Sequence, residues 1–166
     1  MKWLRRILLI LAVLFVVAQF IRPLPANIQT DPQKTLAKAR NIPPDVAAVF
    51  NRACRDCHSN TTAWPWYSQI APVSWMLAEH VKDGRKELNI DEWGAYTPRR
   101  EARKLEEICD QVKKGDMPLP SYLWIHHDSR LSDADKQLLC NWSGAERAKV
   151  IAAHPDAAKR APRPRG

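Results

Sequence analysis

Cys54-Arg55-Asp56-Cys57-His58 is the stretch that decides how this chain of 166 residues is interpreted. Two cysteines three residues apart, followed at once by histidine, form the C-x-x-C-H pattern for covalent haem attachment. On a helix, side chains three and four residues apart share a face, so both thiols reach one porphyrin edge while His58 points at the iron. The pattern therefore predicts one haem c, bound through Cys54 and Cys57, with His58 as the proximal iron ligand.

Other interpretations of the four cysteines stay open. The pattern can arise by chance. A zinc site would use all four thiolates, but Cys109 and Cys140 lack the close spacing usual in such sites. A thioredoxin-like redox pair needs an alternating strand and helix context, which the proline- and tryptophan-rich sequence does not provide. An even pair of cysteines in an oxidising compartment is typically bridged, so we expect a disulfide between Cys109 and Cys140.

Helix signals lie on both sides of the motif. The predicted helices cover residues 44–58, 98–114 and 133–142. The second has Pro98 in its first turn and Gly115 as its stop signal, and Ser132 with Asp135 forms a capping box for the third. Residues 60–96 lack the period-two alternation that is typical of strands. The predicted fold class is therefore all-α.

Residues 1–22 have the form of an export signal, because a positively charged start precedes an apolar run at residues 7–18. The run is longer than a typical signal-peptide core and shorter than a full membrane span, and we expect an uncleaved anchor helix rather than a signal peptide. Arg5 and Arg6 would keep the N-terminus in the cytoplasm. The expected location is the bacterial inner membrane with the domain facing the periplasm, or the periplasm itself if the segment is cleaved.

Composition divides the rest of the chain. Residues 23–43 are proline-rich with little apolar periodicity and are predicted to be a linker. The packed domain is predicted at residues 44–143. Residues 144–166 form a basic tail, rich in proline and alanine, whose end is predicted to be disordered. The net charge of +8 is concentrated at the two ends of the chain, which disfavours nucleic-acid binding.

The second iron ligand is expected in the irregular segment after residue 114. Met117 is the candidate, because Pro118 favours an extended conformation for it and Gly115 frees the chain at the helix end. Ligation by histidine and methionine raises the reduction potential relative to two histidines. A gap-filling core methionine is the alternative. The competing ligands are His80, His126, His127 and Met76.

Aromatic side chains that follow the motif are expected to form a wall that limits contact between haem and water. They are Trp64, Trp66, Tyr67 and Trp75. Their polar atoms, with Arg85 as a charged partner, are hypothesised to hold the haem propionates. Plain core packing is the alternative for each of them.

Several uncommon blocks occur in one order along residues 40–143. They are Cys54-Arg55-Asp56-Cys57-His58-Ser59-Asn60, Trp64-Pro65-Trp66-Tyr67-Ser68, Ile70-Ala71-Pro72-Val73-Ser74-Trp75, Gly84-Arg85 with Leu88-Asn89, and Gly115-Asp116-Met117-Pro118-Leu119 through Tyr122. In these blocks the chain resembles the bacterial haem-binding domain family of cytochrome c type. The resemblance implies an exported monohaem domain with the all-helical cytochrome c arrangement. It carries over Cys54, Cys57 and His58 as haem-binding residues and Met117 as the second ligand.

The sequence therefore predicts an electron carrier that exchanges electrons with redox protein partners and is not an enzyme. A peroxidase-like haem enzyme and a gas-binding haem sensor stay open as alternatives. Each of them needs an open or displaceable position on the iron, whereas a methionine ligand fills that position.

Overall fold

The computed structural model describes residues 1–158, and every regular element in them is helical, which confirms the all-α prediction. In this described part, helices α1 to α7 span Lys2–Ala18, Leu36–Arg40, Pro44–Ala53, Arg55–His58, Val73–Glu87, Pro98–Lys114 and Asp133–Ala153. Short 3₁₀ turns lie at Pro32–Lys34, Trp66–Gln69, Trp93–Ala95, Tyr122–Trp124, His127–Ser129 and Pro155–Ala158.

The pair α6 and α7 is the main packed unit of the domain. The predicted bounds of α6 are confirmed: the Thr97 side chain accepts a hydrogen bond from the amide of Arg100, and Gly115 ends the helix at φ 78°. A glycine in this left-handed conformation is a common helix stop. Leu105 of α6 and Leu139 of α7 are fully buried in one core, to which the apolar face of α3 also contributes.

The helix predicted over residues 44–58 is wrong in one respect, because it breaks at Cys54 into α3 and α4. Cys54 has φ −123° and ψ −34°, outside the helical region. The two pieces pack on different partners: α3 contacts α7, and α4 contacts α5. A single straight helix would not present its face to both partners, so the break places the motif against α5.

The linker predicted at residues 23–43 is wrong, because residues 22–35 are bonded to the domain and α2 follows at Leu36–Arg40. The amide of Ile28 donates to the carbonyl of Asn60 (2.9 Å), and the Asn27 side chain exchanges two hydrogen bonds with the backbone of Thr62. The hydroxyl of Thr30 donates to Asp91 (2.9 Å). These bonds satisfy polar groups that a proline-rich segment cannot pair internally. We call residues 22–35 the strap; just beyond it, Leu36 is buried in the core.

The third helix and the domain both extend past the predicted ends at residues 142 and 143. Helix α7 continues to Ala153, and its Val150 is buried in the core together with Ala157. The apolar stripe of α7 thus continues for further turns, which the basic composition of the segment concealed. The disorder predicted for the end of the tail concerns residues 159–166, which lie outside the described residues.

Helix α1 stands apart from the core, and none of its side chains is buried. Its end is nevertheless fixed: the Gln19 side chain accepts from the amide of Ala71 (2.9 Å), and the carbonyl of Ile21 accepts from the indole N–H of Trp75 (3.0 Å). Among residues 1–158, no helix combines the length and the apolar character needed to cross a membrane. The membrane-spanning anchor stays a prediction.

Candidate haem site

The motif borders a cleft made of two adjoining cavities of about 380 Å³ and about 440 Å³. Volumes of this size are typical of cofactor and ligand sites. The residues that line both cavities are Ala53, Cys54, His58, Glu87, Met117 and Pro118. Because these residues are shared, we treat the two cavities as the smaller and the larger part of one haem cleft. The two predicted iron ligands both stand where the parts meet.

The imidazole of His58 is held in one orientation by the end of α5. Its Nδ1 lies 2.9 Å from the carbonyl oxygens of both Gly84 and Leu88. Burial lowers the pKa of His58, so the ring is neutral at physiological pH. A neutral ring that donates through Nδ1 leaves the lone pair on Nε2 for a metal, which is the usual arrangement of a metal-bound histidine.

Gly84 brings α5 into direct contact with the motif. A Cβ atom at this position would lie 2.5 Å from the carbonyl oxygen of Cys57, a distance that real side chains do not show. Only a glycine allows the two backbones to approach this closely. The same residue therefore sets both the position of α4 and one of the hydrogen bonds to His58.

The motif thiols are free and partly buried. Desolvation raises the pKa of Cys54 to about 12 and that of Cys57 to about 11, and the charge of Asp56 contributes to the increase at Cys57. Both side chains are therefore protonated at neutral pH. Thiol–disulfide exchange uses a thiolate, so this environment disfavours a thioredoxin-like redox pair.

The other two cysteines lie elsewhere and are bonded to each other. The Sγ atoms of Cys109 in α6 and Cys140 in α7 are 2.05 Å apart, and the Cα atoms 4.6 Å. The structure thus does not bring the four cysteines together, which excludes the four-thiolate zinc site. Within the described ranges, no group of three or more histidine, cysteine and acidic side chains is placed to hold a metal ion.

Met117 reaches the cleft from the short segment after α6. The amides of Asp116 and Met117 both donate to the carbonyl of Gln111, at 3.1 and 3.3 Å, so the chain turns back over the helix end. Of the competing ligands, His80, His126 and Met76 line only the larger part of the cleft, and His127 lines neither part. Among these candidates, only Met117 lines both parts of the cleft, as His58 does.

Two of the four predicted wall aromatics are in the wall and two are not. Trp64 and Tyr67 line the larger part of the cleft. Trp66 and Trp75 line neither part, so the prediction is wrong for them. Trp66, the first residue of the 3₁₀ turn Trp66–Gln69, is 77% exposed, and the indole N–H of Trp75 donates to the carbonyl of Ile21 at the end of α1.

Arg85 lines neither part of the cleft, and its contact with the haem propionates stays a hypothesis. Its guanidinium donates to the carbonyls of Ser59 (2.8 Å), Ala26 (2.9 Å) and Asn60 (3.1 Å), and also to side-chain oxygens of Asn27 and Thr62. These bonds use donors on all three nitrogens of the guanidinium. Arg85 therefore joins the strap to the loop that follows the motif.

A polar cluster on the wall of the larger part was not predicted. The Tyr122 hydroxyl donates to the Asp56 carboxylate (2.8 Å), the Tyr122 ring stacks on the ring of His126 at 4.1 Å, and the Tyr67 hydroxyl hydrogen-bonds to Nε2 of His126 (2.7 Å). Burial and the adjacent carboxylate raise the pKa of Tyr122. The one available signal was the position of Asp56 inside the motif.

A buried charge on the wall of the smaller part was also not predicted. The side chain of Lys104 is only 5% exposed, and its Nζ lies 3.1 Å from the Glu87 carboxylate and 2.6 Å from that of Glu107. The hydrogen bond from Lys104 lowers the pKa of Glu87. A buried cation needs such partners. The three side chains place a net negative group beside the cleft.

The residues of the cleft fit a haem on the evidence of this geometry. His58 offers a free Nε2, two protonated thiols adjoin it, and a thioether side chain borders the same space. Comparison with known proteins agrees: the model of a family described as haem-binding domain matches residues 13–145. No curated protein and no solved structure gave a match. The matched range includes the strap, in agreement with its packing on the domain.

Proposed function

Because the chain belongs to the haem-binding domain family, we propose that it is an exported monohaem c-type cytochrome domain, with a cytochrome c-like arrangement, that carries electrons between redox proteins. The observation that carries the proposal is the placement of His58 and Met117. Both line both parts of the cleft, and Nδ1 of His58 is fixed by two carbonyl oxygens. An imidazole and a thioether are the ligand pair of six-coordinate electron carriers.

The motif thiols would attach the haem covalently. Each thiol would supply its S–H bond for addition to one vinyl group of the haem, so that one C–S and one C–H bond form and no other product is left. Both cysteines are free and line the larger part of the cleft, which supports attachment there. When bound, the haem supplies an iron that changes between the ferrous and ferric states. The chain's own part is to hold the imidazole still, cover the ring with apolar side chains and exclude water from it.

Export is proposed from the positively charged, apolar N-terminal segment and is supported by the Cys109–Cys140 bond. Disulfides persist in oxidising compartments such as the bacterial periplasm. Residues 1–22 would direct the chain to the inner membrane, with the domain on the periplasmic side. Cleavage of the segment would instead leave a periplasmic protein.

A haem enzyme or gas sensor is the second candidate, and one observation favours it. His126 lies on the wall of the larger part with a hydroxyl on Nε2, which is an acid–base arrangement that peroxide chemistry uses. Such a function requires that Met117 leave the iron free. Carbon monoxide binding to the ferrous protein distinguishes the two candidates.

The test is to produce the full chain in a strain competent in cytochrome c maturation and to record its intact mass and haem spectrum. We expect the mass of one covalent haem and a six-coordinate spectrum with a thioether-to-iron signature. Met117→Ala should lose that signature and bind carbon monoxide readily, whereas the matched control Met76→Ala should keep the wild-type spectrum. Pigment that acidified organic solvent extracts from an unmodified polypeptide would refute covalent attachment. An unchanged spectrum in Met117→Ala would refute its ligand role.

A further inference from the structure

The end of α1 is held against the domain by hydrogen bonds. Gln19 and Ile21 are hydrogen-bonded to residues 71 and 75 at the start of α5, and the strap that follows is bonded to the loop after the motif. The carbonyl of Ala26 and the side chain of Asn27 are held by Arg85. Whatever surface α1 lies in, the first turn of α5 must lie next to that surface.

Exposed apolar side chains surround this point. Those on the segment just before and within α5 are Trp66, Ile70, Val73, Trp75 and Met76, and across the mouth of the larger part are Trp124 and Ile125. We call these seven side chains the apolar rim. Val73, Met76, Trp124 and Ile125 line the cleft and are exposed as well, which places them at its mouth.

The rim lacks charge although the chain is rich in it. Charged residues make up 27% of the sequence, yet residues 59–78 and residues 117–125 contain none. Both uncharged stretches meet at the mouth of the larger part. A haem in the cleft would cover only the inward faces of the rim, because Trp66, Ile70 and Trp75 do not line it. Exposed apolar patches of this kind mark interaction sites.

We propose that the apolar rim docks on the lipid surface into which α1 inserts, so that the mouth of the larger part faces the bilayer. The inference rests on the proposed membrane targeting of residues 1–22, and it does not require α1 to cross the membrane. Tryptophan is favoured at the boundary of lipid and water, where its ring is buried and its N–H stays paired. The basic residues at the start of α1 would be attracted to anionic lipids, and its exposed apolar side chains would be buried among the lipid tails.

The experiment uses the haem-loaded full chain in vesicles of phosphatidylethanolamine and phosphatidylglycerol. Single cysteines are introduced for spin labelling as Trp66→Cys and Trp124→Cys in the rim, Ile28→Cys on the strap as an exposed control, and Ile10→Cys in α1. For each spin label, the increase in relaxation rate caused by oxygen, which concentrates in lipid, is compared with the increase caused by a water-soluble nickel chelate. The relaxation measured without either reagent is subtracted for each variant, which removes the contribution of the haem iron, and the wild type gives the background labelling.

We expect the ratio of oxygen to nickel effects to be several-fold higher at positions 66 and 124 than at position 28, and high at position 10. A high ratio at position 10 with ratios at 66 and 124 equal to that at 28 overturns the docking surface while membrane targeting stands. Shielding of 66 and 124 from both reagents reveals a protein contact, such as a second copy, and also overturns it. A low ratio at position 10 overturns both proposals. Labelling of the wild type separately reports free motif thiols and thus a failure of covalent haem attachment.

Discussion

The two walls that carry the predicted iron ligands are built differently. The wall of His58 consists of two helices in backbone contact at Gly84, and two carbonyl oxygens of α5 fix the imidazole. The wall of Met117 is a short segment that follows α6 and is held by backbone bonds to Gln111. The first wall is fixed by tertiary packing, and the second by the way one helix ends.

The difference indicates that the fold holds His58 in place more firmly than Met117. Two carbonyl oxygens of α5 hold the His58 imidazole, so the fold itself orients this ligand. Met117 depends on Gly115 and on a few backbone bonds, so we expect its ligation to be the more labile. Substitutions in the two walls should therefore have different consequences for haem retention and for the second ligand.

The largest effect is expected for Gly84→Ala, which tests the backbone contact in the wall of His58. The added Cβ would meet the carbonyl of Cys57 at 2.5 Å, so α5 and α4 must separate. We expect the free energy of unfolding to fall by about 1–3 kcal/mol, as for other overpacked sites, and haem content to fall with it. Urea denaturation and the haem-to-protein absorbance ratio measure the two effects.

Gly144→Ala in α7 is the matched control, since a Cβ there meets nothing within 4 Å. Replacing a helical glycine by alanine in open space should raise the free energy of unfolding by about 0.5–1 kcal/mol. An equal response of the two variants would contradict the contact between α5 and the motif.

An intermediate effect is expected for Gly115→Ala on the Met117 side. There is space for the Cβ, but the residue has φ 78°, which costs an alanine about 1 kcal/mol. Covalent haem content should be unchanged while the thioether signature weakens, because the segment bearing Met117 is repositioned. Gly115→Asn should behave more like the wild type, since asparagine tolerates this conformation. Full loss of haem in Gly115→Ala would contradict the assignment of this glycine to the Met117 wall alone.

The smallest effect concerns the contact between α3, which precedes the motif, and the start of α7. Asp135 accepts bonds from Ser132 (2.7 and 2.8 Å) and pairs with Arg52 of α3 at 2.6 Å, and these bonds lower its pKa below the usual 3.8. Asp135→Asn should lower the free energy of unfolding by about 1 kcal/mol at pH 7. Asp133→Asn, at a fully exposed neighbour in the same turn, should have a smaller effect.

The pH dependence of this pair has a definite sign. The folded pKa of Asp135 lies below the unfolded one, so the carboxylate stabilises the fold above pH 3.8 and the contribution disappears as the pH falls through the folded pKa. The gap between wild type and Asp135→Asn should therefore be constant at neutral pH and should close in acid. A gap that is independent of pH down to pH 2 would contradict the role of the charge; urea denaturation across this range measures it.

Local signals allowed prediction of part of the fold and of the site. Helix α6 was predicted with its correct bounds, because Pro98 and Gly115 act on their own backbone. The strap was predicted as a linker, because its partners, among them Asn60 and Asp91, lie far along the chain. The length of α7 was underestimated for the same reason, since Val150 gains its burial from distant segments.

The site divides in the same way. The motif identified the candidate thiols and the imidazole, since their spacing alone brings them together on a helical turn. Trp66 and Trp75 were misassigned because residue type states what a side chain can bind, and only packing decides which way it points. Tyr122 and Lys104 were missed because each acquires its role from a partner in another element.

The sequence by itself determined the helical class, the haem-binding motif and the end of α6, because each depends on residues within a few positions of one another. The tertiary structure alone decided that Gly84 and Leu88 orient His58 and that the strap belongs to the domain. It also decided that the end of α1 lies next to the uncharged apolar rim. These features depend on groups that are distant along the chain and adjacent only after folding, so no local pattern encodes them.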